Sequence, residues 1–122
     1  MDGEIAPDEL RDLLESDDRL RVIDIRSPRK FARGHVPGSE NVPFRELPDR
    51  VEEFAGADRI VTVCPHGNAS VQAARFVADA GASDARVESM AGGLEAWDGP
   101  LDAGGANGTV AGGEAETPDS PF

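Results

Sequence analysis

The chain has one cysteine, two histidines and one lysine in 122 residues, and each shortage removes a class of protein from consideration. With Cys64 alone no intramolecular disulfide can form, which fits a reducing compartment rather than a disulfide-stapled scaffold. His35 and His66 are the only imidazoles that could join Cys64 around a metal, too few for a structural zinc site. No apolar run approaches the ~18 residues of a membrane-spanning helix. Met1-Asp2-Gly3-Glu4 opens without the basic stretch and apolar core of a secretory signal. Phosphate-binding motifs of the GxGxxG and GxxxxGK(S/T) kinds are missing as well. These absences predict a soluble, cytoplasmic protein without a membrane partner.

Positive charge is the other shortage. Twenty-four Asp and Glu outweigh twelve Lys and Arg, giving a formal net charge of −12, and Lys30 stands alone beside eleven arginines. Such a chain repels nucleic acid. The acid is dispersed along the sequence, the pattern of a solvated surface rather than of a binding patch. Self-repulsion on this scale destabilises a compact state unless counterions screen it, so the acidic composition predicts a halophilic protein of a salt-rich cytoplasm.

What is present fits one globular domain over residues 1–102, with 39% hydrophobic content for a modest core. Residues 103–122 are Gly-rich and acidic, with Val110 and Phe122 their only large apolar groups, and are expected to be a disordered tail.

Within the domain, Ile5 is placed to begin a short strand. Pro7 suits the first turn of a helix through Glu15, whose Leu10, Leu13 and Leu14 share one face. Leu20-Arg21-Val22-Ile23-Asp24-Ile25 reads as a strand. Ser27-Pro28 reads as a cap and first helical position, with Gly34 as the stop. Residues 35–43 read as a loop, Gly34 before it and Gly38 within it supplying turn conformations, and residues 44–54 read as a weak helix.

Ile60-Val61-Thr62-Val63 gives a buried strand, Val71, Ala74, Val77 and Ala78 an apolar helical stripe, and Val87 a further strand. Ala91-Gly92-Gly93 then turns into a helical segment with Leu94 and Trp97, the tryptophan a core anchor. Strands alternating with helices predict an α/β fold: a mainly parallel sheet with helices on both faces and a site beyond the carboxyl ends of the strands.

Cys64 sits at such an end. It follows the buried strand and opens Cys64-Pro65-His66-Gly67-Asn68-Ala69-Ser70, after which a helix begins over 71–79. The N–H groups of a strand-to-helix turn can converge on the sulfur and stabilise a thiolate, turning a thiol into a nucleophile. The alternative is a small buried hydrophobe, since free cysteine is among the most buried residue types.

Four segments stand in order: Asp24-Ile25-Arg26, Gly34-His35-Val36-Pro37-Gly38-Ser39-Glu40-Asn41-Val42-Pro43, the Cys64 loop, and Gly92-Gly93-Leu94-Glu95-Ala96-Trp97. Together, over residues 4–101, they resemble a single-domain rhodanese. The resemblance implies a three-layer α/β sandwich around a five-stranded, mainly parallel sheet, and a sulfurtransferase without metal or organic cofactor. It makes Cys64 the catalytic residue, taking a sulfane sulfur from a small-molecule donor such as thiosulfate and passing it to cyanide or a thiol. A protein sulfur donor or acceptor is the other kind of partner.

The loop Pro65, His66, Gly67, Asn68, Ala69 and Ser70 would hold the transferred sulfur. Asp24 and Arg26 match the family's Asp-x-Arg element, first as an ion pair bracing the 34–43 segment and second as substrate contacts. His35 is a supporting loop histidine. Two positions depart from the family pattern. Ala69 stands where a basic residue is expected, and Pro65 replaces the Arg that often follows the cysteine, which points toward a neutral or protein-bound persulfide donor. Two rival readings remain. One is a non-enzymatic sulfur carrier or binding module; the other is a cysteine phosphatase, whose Cys-x5-Arg loop would put an arginine where Ser70 stands.

Overall fold

Neighbouring residues on the central strands feed opposite cores. In β2 (Leu20–Asp24) Val22 joins one apolar cluster and Ile23 the other, and in β4 (Arg59–Val63) Val61 and Ile60 divide the same way. Strands buried on both faces need helices on both sides. The computed structural model, which describes residues 1–104 except 18, 82 and 83, supplies them. One face carries α3 (Leu47–Arg50) and α4 (Ala69–Ala80), where Leu47, Phe54, Ala73 and Val77 pack on Ile23 and Ile60. The other carries α1 (Pro7–Ser16), whose Leu10 packs with Ile5, Val22, Val61 and Trp97.

The sheet runs β1 (Glu4–Ile5), β5 (Arg86–Met90), β4, β2, β3 (Glu40–Asn41), and all four pairings are parallel. Parallel strands bring their carboxyl ends to one edge. Asp24 pairs in register with Val63, and Ile25 N–H donates to Val63 O at 3.0 Å, so the residues after β2 and Cys64 after β4 share that edge. Ser27 caps α2 (Pro28–Arg33) by accepting from the Lys30 N–H at 3.4 Å.

The structure corrects three expectations. Residues 35–43 are not all loop, since Glu40–Asn41 pair with Ile23 and Asp24 as β3. Side chains rather than strand propensity hold them there. Arg21 grips Glu40 through Nε at 2.9 Å and Nη2 at 2.6 Å, and Asn41 Nδ2 donates to the carbonyls of Asp24 and Arg26. The bond to Glu40 raises the Arg21 guanidinium above its ordinary value.

The 44–54 helix is broken into a 3-10 turn at Phe44–Glu46, α3, and a second 3-10 turn at Val51–Phe54. Pro48 has no N–H to offer the Phe44 carbonyl, which accepts instead from Leu47. Gly34 lies at φ 170°, extended backbone open to any residue, whereas Gly38 at φ 82° is a true turn glycine.

The tail expected over 103–122 lies almost wholly outside the described residues. At its start the chain packs back on the domain: Asp102 and His35 exchange backbone bonds at 2.9 Å, and Gly104 N–H donates to Ala32 O at 2.8 Å.

Candidate active site

β4 ends at Val63, and the chain turns through Cys64 to Asn68 into α4, which begins at Ala69, two residues earlier than the sequence pattern predicts. That early start puts the first helical N–H groups beside the sulfur. Ser70 N–H reaches Cys64 Sγ at 3.2 Å and Gly67 N–H reaches it at 3.1 Å. Two backbone donors therefore converge on one sulfur. The thiol is buried, so the loop rather than bulk water is its solvent.

Two glycines allow this turn. Gly67 has φ 89°, and a Cβ there would lie 2.8 Å from Gly92 N. Gly93 has φ 66°, and a Cβ there would fall 2.5 Å from Gly67 N, His66 N and Pro65 C. The Gly92-Gly93 turn is therefore a floor pressed against the Cys64 loop. Leu94 N–H donates to Cys64 O at 2.8 Å and Glu95 N–H to Pro65 O at 3.0 Å, locking floor to loop.

Ser70 is fully buried behind the sulfur. Its hydroxyl lies 3.3 Å from Sγ and 2.7 Å from the hydroxyl of Ser89 on β5, and its carbonyl accepts from Thr62 Oγ1 at 2.7 Å. Sequence reasoning missed Ser89 and Thr62 as parts of the site. The available signal was a single hydroxyl residue inside each of two otherwise buried strands, since buried hydroxyls need partners.

The other sequence-designated residues divide into loop and brace. Pro65 is half-buried, and His66 and Asn68 are exposed. His66 Nδ1 lies 2.9 Å from Glu95 Oε1, so the one basic ring of the loop is tied to a carboxylate at the rim. Ala69 turns its methyl into the core cluster. Asp24 and Arg26 form a buried bidentate pair at 2.8 to 3.1 Å, and Arg26 Nη2 also donates to Gly34 O at 2.7 Å. The guanidinium is thus engaged between β2 and the end of α2. His35 stacks on Phe31 at 3.7 Å, and its Nδ1–H donates to Phe31 O at 2.8 Å.

Cys64 thus stands at a strand-to-helix turn, under converging amides and over a double-glycine floor, and comparison with known proteins gives the fold a family. The Rhodanese-like domain model matches residues 6–99. The chain is 39% identical over 93 residues to thiosulfate sulfurtransferase GlpE of Pseudomonas aeruginosa, covering 76% of this chain and 81% of that protein. A crystal structure of a thiosulfate sulfurtransferase from the same species superposes with TM-score 0.75 at 27% identity, over 85% of this chain and 20% of that one. A rhodanese-like domain protein from Staphylococcus aureus shares the fold, with TM-score 0.71 at 24% identity over 85% and 99% of the two chains. The chain belongs to the rhodanese-like domain family. It is a sulfurtransferase.

Proposed function

We propose that Cys64 is the nucleophile and carries the sulfur as a persulfide, a reading supported above all by the Gly67 and Ser70 N–H groups directed at its Sγ. The thiolate attacks the outer sulfur of thiosulfate, the donor named for the relatives, forming an S–S bond while sulfite leaves with the electron pair of the broken one. Cyanide or a thiolate then attacks the terminal sulfur. The new bond forms there, and the persulfide electron pair returns to Cys64. The loop residues 65–70 surround the transferred sulfur, and no cofactor takes part in either step.

Charge bears on the donor. The loop offers no Lys or Arg, its one imidazole faces Glu95, and Arg26 is engaged by Asp24 and Gly34. A donor that carries little charge, such as a small or protein-bound persulfide, fits this loop better than a dianion. The phosphatase reading loses support for the same reason: Ser70, at the position of the phosphate-gripping arginine, is buried against Sγ and Ser89. For compartment, the free Cys64 and acidic composition support a reducing, salt-rich cytoplasm. Among the described residues no helix is long and apolar enough to cross a membrane.

The test is intact mass after incubation with thiosulfate and, separately, with a persulfide. Wild type gains one sulfur atom, and Cys64→Ser, though folded, gains none and forms no thiocyanate from cyanide. Transfer retained by Cys64→Ser overturns the assignment.

A further inference from the structure

Behind the nucleophile lies a chain of two buried hydroxyls that ends at Ser89. In the thiol form Cys64 Sγ–H donates to Ser70 Oγ at 3.3 Å, Ser70 Oγ lies 2.7 Å from Ser89 Oγ, and Ser70 and Ser89 have no exposed surface. Among the described residues the Ser89 hydroxyl has no other partner. Its hydrogen therefore has one acceptor available, the oxygen of Ser70, since a buried hydroxyl hydrogen is costly to leave unpaired. Once Ser70 accepts from Ser89, its own hydrogen has one neighbour left to meet, the sulfur.

Counting hydrogens gives the consequence. The thiolate form has two hydroxyl hydrogens for two links, and both are used. The thiol form has three hydrogens for the same two links, so one is left without a partner among these three buried groups. A donor whose oxygen is itself accepting is polarised into a stronger donor.

We propose that Ser89 is a positioning residue for sulfur transfer: by donating to Ser70 it turns that hydroxyl toward Cys64 and holds the sulfur in its thiolate form. Ser89 is not a proton exit, because the relay is closed at its buried end. The thiol proton leaves from the loop side, and the two hydroxyls only reorient. Thr62 fixes the Ser70 backbone from the neighbouring strand through its 2.7 Å bond to the Ser70 carbonyl, so the relay has a rigid mount.

The proposal rests on Cys64 being the reactive group of the sulfurtransferase, and its test reads the thiol directly rather than sulfur transfer, so the two stand or fall separately. Cys64 is the only cysteine, and iodoacetamide alkylation of the full chain reports its thiolate content. At neutral pH Ser89→Ala is expected to react about threefold more slowly than wild type, the lower end of what one hydrogen bond contributes. In strong alkali, where every thiol is ionised, the two react alike. Ser89→Thr, which keeps the hydroxyl, restores the neutral rate.

Because Ser89 acts through Ser70, Ser89→Ala adds nothing further in a Ser70→Ala background. The proposal is overturned by an unchanged neutral rate, by equal slowing at both pH values, by additive effects of the two alanines, or by a Ser89→Ala chain that does not fold. Any of these makes Ser89 a structural residue.

Discussion

Leu94 N–H donates to the carbonyl of Cys64 at 2.8 Å, so a turn thirty residues downstream holds the Cys64 peptide in place. The close approach this needs depends on Gly93, where no side chain separates the two segments. The site is a loop and a floor built together, and their contact is a point at which single substitutions act.

Gly93→Ala should damage the site more than any other single-methyl addition. Its Cβ would overlap three backbone atoms at 2.5 Å, at a φ of 66° that side chains disfavour. Strain and overpacking together should cost about 2 to 4 kcal/mol. A urea midpoint lowered on that scale, with sulfur transfer reduced beyond what the unfolded fraction explains, is the expected outcome.

Restoring charge to the loop is best done at position 65. Ala69, the other position where the family pattern expects a basic group, is buried in a core cluster, and a guanidinium there would be placed among apolar side chains. Pro65 is half-buried at the mouth. Pro65→Arg should lower KM for thiosulfate several-fold while leaving KM for an uncharged persulfide nearly unchanged, as steady-state kinetics with both donors will show. Equal changes for the two donors would mean that charge is not what the loop lacks.

The Asp24–Arg26 pair is buried on both sides, which makes its halves unequal to their sum. Arg26→Ala leaves a carboxylate with no exposed surface and no counterion, a change of about 3 to 5 kcal/mol. Such a loss is a large share of a domain's total stability of about 5 to 15 kcal/mol. Arg26→Lys should recover only part of it, because one ammonium cannot make the bidentate contact and also reach Gly34 O. Chemical denaturation of the three proteins checks the order.

A net charge of −12 predicts a salt-dependent fold. Melting temperature should rise as monovalent salt increases from low to molar concentration, with the steepest gain where the screening length falls below about 10 Å. A flat or falling curve removes the support for a halophilic reading.

The sequence alone determined the elements whose pattern is local. The β-branched runs of β2 and β4, the leucine face of α1, the Ser27-Pro28 cap and the placement of Cys64 between a strand and a helix need no distant partner to be recognised. Tertiary structure decided what depends on residues far apart in the chain. Glu40–Asn41 became β3 because Arg21 and the carbonyls of Asp24 and Arg26 were there to bind them. His66 turned to Glu95, and Ala69 turned inward as α4 began two residues early. Thr62 and Ser89 entered the site only when parallel pairing laid β5 beside β4 beneath the start of α4. A lone hydroxyl in a strand carries no record of which buried group will need it. That pairing is fixed by the sheet order, a property of the folded chain and not of any segment.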